Sequence, residues 1–110
     1  MKRTAPKQLL TGQTNVHGIA VDGQRKYLFV NQNDKTAGTG TVTSYKLHTN
    51  FTNTSDPIVT IDDKEKSVVV YKGGVINGLV VSELLGVLLI ADSTHKKITA
   101  YEYDLTILKT

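Results

Sequence analysis

The chain has 110 residues, with 13 Lys and Arg against 10 Asp and Glu, for a formal net charge of +3. That length suits one domain with a modest core. The mild charge, scattered over Lys2, Arg3, Lys7, Lys96 and Lys97 with no basic stripe interleaved with aromatics, argues against a nucleic-acid partner. With no cysteine at all, a disulfide framework, a cysteine metal site and a cysteine nucleophile are excluded.

In chain order, the N-terminal MKRTAPKQLL carries charge but no apolar core segment, so it does not read as a secretory signal. This, with the lack of cysteine, favours a cytoplasmic setting. Residues 7–11 read as a short outer strand. Residues 16–21 and 28–30 are apolar and rich in β-branched and aromatic residues, and they flank Asp22-Gly23-Gln24-Arg25-Lys26. An Asp-Gly pair between two such runs predicts a β-hairpin. Residues 31–40 are polar and contain glycine, which predicts a long loop. Residues 42–47 alternate in polarity, as a half-exposed strand does. Residues 48–57 read as a connection, 58–61 as a further short strand, and 62–66 as a charged turn. Residues 67–71 form the next predicted strand. Then come strands at 76–81 and 87–91, joined by a turn at 83–86, a polar loop at 92–97, and a last strand at 98–103. Gly86 and the flanking β-branched residues decide against a helix between Val80 and Leu89. The longest apolar run, residues 87–91, is too short to span a bilayer, and no membrane partner is expected.

The chain repeats itself. VHGIAVDGQRKYLFV (16–30) aligns without a gap on INGLVVSELLGVLLI (76–90), an offset of 60. The same offset carries KQLLT (7–11) onto SVVVY (67–71). After a shift of four residues, VTSYKL (42–47) falls on ITAYEY (98–103). What recurs is the order of apolar runs, glycines and turn residues. Such self-similarity marks stacked or radially arrayed units. Each copy offers an apolar inner strand, a tight turn, a second apolar strand, a polar loop and a third amphipathic strand. The strand at 67–71 supplies a fourth. The expected fold is therefore all-β, with two repeats (about 7–60 and 67–110) shaped as four-stranded antiparallel β-propeller blades. The starts of the inner strands, His17-Gly18 and Asn77-Gly78, would sit where blades crowd a central channel.

These residues bear a resemblance. Ile76-Asn77-Gly78-Leu79, then Ile90-Ala91-Asp92-Ser93-Thr94, then Ile98-Thr99-Ala100-Tyr101-Glu102-Tyr103-Asp104 resemble successive motifs of the six-bladed propellers of the senescence-marker-protein, gluconolactonase and luciferin-regenerating-enzyme family. The likeness covers roughly residues 7–105. It implies a lactonase-type hydrolase with a divalent metal in the central channel, Ca²⁺ first, with Zn²⁺ or Mn²⁺ as alternatives. Such an ion would polarise a lactone carbonyl or activate water. Asn77 matches the metal-binding Asn of that family, and a carboxamide oxygen is a sound ligand for a hard cation. His17 stands one copy earlier, where the family places its substrate-positioning Asn, and takes the candidate catalytic role. Its imidazole titrates near neutral pH. The family's metal-binding Glu and Asp lie in blades outside this sequence. A small lactone or sugar-like ligand is the implied substrate.

The same residues have plainer readings. Asn77 before Gly78 suits a left-handed turn, and His17 beside Gly18 suits a hydrogen-bonded structural role. The run Asp92-Ser93-Thr94-His95 joins acid, hydroxyl and imidazole, but adjacent loop residues do not build a nucleophilic triad. Asn50 and Asn53 each open an N-glycosylation pattern. The alternative function is a non-catalytic propeller module that binds a protein or carbohydrate through its loops. Two blades alone expose two apolar faces. Either the chain is a portion of a longer propeller, or three copies close a six-bladed ring through head-to-tail contacts.

Overall fold

The computed structural model describes residues 9–50, 58–61 and 67–103. Their ordered elements are all strands: β1 Val16–Asp22, β2 Tyr27–Asp34, β3 Thr39–Asn50, β4 Ile58–Ile61, β5 Val68–Gly73, β6 Ile76–Ser82, β7 Val87–Asp92 and β8 Lys97–Tyr101. Every pairing is antiparallel. One sheet runs β1-β2-β3, with β5 along the first half of β3 and β4 along its last four residues; the second runs β6-β7-β8. Among the described residues the sheets close neither a barrel nor a ring, and no helix is long and apolar enough to cross a membrane.

The sequence repeat is a repeat of register. Ile19 faces Val30 and Val21 faces Leu28 in the first sheet; Leu79 faces Ile90 and Val81 faces Leu88 in the second. Each pair is displaced by 60. Both hairpins skip one residue near their start, between Val16 and Gly18 and between Ile76 and Gly78. Lys26 and Gly86, also 60 apart, both take positive φ at the end of the tight turn. The shift of four also holds: Leu28 faces Tyr45, and Leu88 faces Tyr101.

Three expectations from sequence are corrected. Residues 31–40 are not a long loop. β2 continues to Asp34 and β3 starts at Thr39, leaving only Lys35–Gly38 as the turn. Polar side chains hid the strand because they find partners: Asn31 and Asn33 are buried and hydrogen-bonded to each other. Residues 48–50 continue β3 and pair with β4, and the rest of the predicted connection lies outside the described residues. Leu9, Leu10 and Thr11 form no strand. Leu10 packs instead against Leu28, Val30 and Leu47. The charged turn at 62–66 and the Asn53 pattern fall outside the described residues; Asn50 ends β3.

The two sheets pack face to face. Tyr27, Phe29 and Val42 from the first meet Ile76, Leu88 and Ile90 from the second, with Tyr103 closing the cluster. Period-2 alternation puts these residues on one face of each sheet. Three aromatic rings meet at the centre in tilted and edge-to-face contacts, with Phe29 and Tyr103 centroids 4.9 Å apart. Gly40 permits the close approach of β3 to the chain entering β6: a Cβ there would lie 2.5 Å from the Gly74 carbonyl oxygen and 2.5 Å from Asn33 Oδ1.

Candidate functional site

His17 and Asn77 occupy matching places. Each is the extra residue of a β-bulge near the start of its hairpin, and both are exposed. Bulges re-aim side chains and are frequent beside functional sites. Asn77 does not adopt a left-handed conformation, so the plain turn reading does not describe it. His17 lines a shallow polar pocket of about 380 Å³ with Asn15, Asn33, Asp34, Lys35 and Thr36. Asp34 is already engaged there, its Oδ1 accepting the N–H groups of Thr36 and Ala37 at 3.1 Å each. Asn77 does not line that pocket. Among the described residues no group of three or more His, Cys, Asp and Glu side chains gathers to hold a metal ion.

Two buried carboxylates organise the ends of the sheet pair. Asp92 accepts the Tyr71 hydroxyl at 2.6 Å and the Gly74 N–H at 3.1 Å on Oδ2, and the His95 N–H at 3.1 Å on Oδ1. His95 Nδ1 also lies 2.9 Å from Oδ2. Burial pushes the Asp92 carboxyl up, but these hydrogen bonds to the charged form outweigh it and hold the group well below the usual carboxylate range. The Thr94 hydroxyl accepts the Val75 N–H at 2.9 Å, so the Asp92–His95 run is a structural tie between β7 and the approach to β6. At the other end Asp22 accepts the Arg25 N–H and guanidinium at 2.9 Å each, and the Tyr103 hydroxyl. Burial again opposes ionisation, and the bonds from Tyr103 and Arg25 bring the Asp22 carboxyl down. Arg25 also donates to the Glu83 carbonyl at 2.6 Å, joining the two tight turns.

The pH consequence follows from the sign of these shifts. A carboxyl with a lowered native pKa adds stability above its unfolded pKa, near 4, and loses it as pH falls through the native value. Thermal unfolding should therefore hardly change between pH 7 and pH 5. Below about pH 4 the melting temperature should fall steadily. The substitution Asp92→Asn should lower stability at pH 7 and flatten that acid limb, which calorimetry at stepped pH would read.

The least satisfied part of the molecule is its apolar surface. The first sheet's other face carries Ile19, which is 61% exposed, with Val16 and Val21 also exposed. With Leu28, Val30 and Leu47 they line an apolar groove of about 790 Å³. On the second sheet's outer face, Val80 is 61% and Ile98 76% exposed, and Leu89 lies exposed between them. Register makes each a continuous patch, since Val80 faces Leu89 and Ala91 faces Ile98.

No family model, no curated protein and no solved structure matches this chain. The site must therefore be read from its own chemistry. Sequence reasoning found the bulge residues His17 and Asn77 through the repeat. It missed Asn33 as a link between the sheets. The link depends on Asn33 meeting the Ile76 backbone, 43 positions away, and spacing carries no trace of that.

Proposed function

We propose that this chain is a two-blade β-propeller segment that binds protein through its apolar sheet faces and carries no complete catalytic site of its own. The observation behind this is the pair of exposed aliphatic patches, one on each outer face. Soluble monomers rarely leave contiguous apolar patches open, and such patches mark interaction surfaces. Burying one Val, Leu or Ile contributes about 1.5–3 kcal/mol. Covering four or five of them competes with an association cost of about 4–15 kcal/mol. Specific binding is thus within reach of one face. Contact through the faces is favoured over contact through the loops because one of the two largest expected loops, residues 31–40, is mostly strand.

A lactonase-type metal site completed by further blades is the second reading. The matched bulges at His17 and Asn77 favour it, since they present two polar side chains at equivalent, exposed places. Calcium titration followed by thermal unfolding separates the two. On the protein-binding reading neither Ca²⁺, Mn²⁺ nor Zn²⁺ raises the melting temperature, and a sugar δ-lactone is hydrolysed no faster than in buffer. A metal-dependent rise that disappears in Asn77→Ala, together with turnover lost in His17→Ala, would establish the hydrolase instead.

A further inference from the structure

We infer that the partner is a second copy of this chain, seated head to tail; the inference rests on the protein-binding reading above. Its basis is the contact the chain already makes with itself. Within one molecule, the first sheet presents Ala20, Phe29 and Val42 to the second sheet. The second sheet answers with Ile76, Leu79, Val81, Leu88 and Ile90.

The repeat reproduces both sides of that contact on the outer surfaces. Moving Ile76, Leu79, Val81, Leu88 and Ile90 back by 60 gives Val16, Ile19, Val21, Leu28 and Val30. These line the open groove of the first sheet. Moving Ala20 and Phe29 forward by 60, and Val42 by 56, gives Val80, Leu89 and Ile98. These are the exposed residues of the second sheet. The register pairs correspond one to one, including the bulge. One molecule thus carries a second copy of each half of an interface it is built around; on the first sheet Val16, Ile19 and Val21 are exposed, while Leu28 and Val30 are already buried against Leu10. The two halves are different, so the contact between copies is heterologous, and it either closes a ring or grows.

The correspondence is in backbone register and apolar character, while the side chains differ in size. Leu89 replaces Phe29, and Val80 replaces Ala20. The link from the Asn33 amide to the Ile76 backbone has no counterpart on the second sheet, whose β7–β8 hairpin is shorter. The contact between copies is therefore weaker than the one within the chain and depends on concentration.

The test uses the whole chain and two surface variants. Ile19→Lys blocks the first outer face and Ile98→Lys the second; both sites are mostly exposed, and circular dichroism checks that each variant folds. If Ile19→Lys unfolds, Val16→Lys replaces it. Light scattering of the unmodified chain at micromolar concentration should give twice the chain mass or more, falling on dilution. Each variant alone should associate roughly 100-fold more weakly, because an unpaired charge is poorly tolerated in an apolar contact. A mixture of the two should form a one-to-one complex and stop there, since each supplies the face the other lacks. A dimer that survives one substitution, with no recovery on mixing, indicates a symmetric contact and overturns the inference. A monomer throughout overturns it too. In that case an apolar dye that binds the unmodified chain and is lost in both variants leaves protein binding standing with a foreign partner. A monomer whose faces bind no dye ends the protein-binding reading as well.

Discussion

Replacing Phe29 by Ala should cost about 3–5 kcal/mol of unfolding free energy, as truncating a fully buried Phe does. The side chain has no exposed surface. Its ring sits 4.9 Å from Tyr103 and 6.3 Å from Tyr27, centroid to centroid, at the centre of the seam between the sheets. Small domains are stable by only about 5–15 kcal/mol, so the variant should lie at or near the edge of folding. In a domain of this size a loss of that kind lowers the melting temperature by about 10 °C or more. Urea unfolding gives the direct measure. The exposed Ile19→Ala serves as its control and should change stability by no more than about 0.5 kcal/mol. Equal effects at the two positions would mean that the sheets do not pack through Phe29.

Asn33→Leu should be the second most damaging change, although it removes no apolar contact. The Asn33 amide donates to the Ile76 carbonyl at 2.8 Å and accepts the Ile76 N–H at 3.1 Å. It also accepts from Asn31 Nδ2 at 3.0 Å. Leucine would strand the Ile76 N–H and carbonyl in a buried site, while Asn31 Nδ2 keeps its bond to the Thr41 carbonyl at 3.1 Å; each unsatisfied group costs about 1–3 kcal/mol. A loss of about 3 kcal/mol or more is expected. Amide hydrogen exchange gives a sharper signature than global stability. The Ile76 N–H should lose protection selectively, while the β1–β2 ladder keeps its own. Unchanged protection at Ile76 would remove Asn33 as the link.

The balance between apolar packing and polar linkage also explains which parts of the fold are legible in the sequence. The 60-residue repeat was plain in the order of Val, Ile, Leu and Gly, and it carried the hairpins, the turn ending at Gly86 and the four-residue shift of the third strand. Each of these depends on neighbours close in sequence and on period-2 alternation, which composition displays directly. The stretch from Asn31 to Gly40 misled because its polarity imitates a loop. Asn31 and Asn33 are polar because they face the junction of two sheets, where the Ile76 backbone partners Asn33. Leu9–Thr11 misled in the opposite way. The segment matches β5 in pattern, but a strand needs an adjacent edge, and here Leu10 packs onto the apolar face instead.

His17 and Asn77 divide along the same line. Their equivalence was visible in sequence, while their placement on matched bulges, exposed and apart from any acidic cluster among the described residues, was not. Ligand geometry depends on which chain segments converge, and motif spacing within one hairpin does not encode it. The proposed protein-binding reading rests instead on the exposed aliphatic side chains of the sheet faces.

By itself the sequence determined an all-β chain built from two like units, with the alternation that gives each sheet two apolar faces. The tertiary structure decided which of those faces is used. Phe29, Ile76 and Tyr103 join one face of each sheet into the core, and Asn33 and Asp22 fix the seam. The opposite faces, through Ile19 and Ile98, are left open. The physical reason is that alternation sets which side chains share a face, whereas burial depends on what lies across from it, and that is settled only when the two sheets meet.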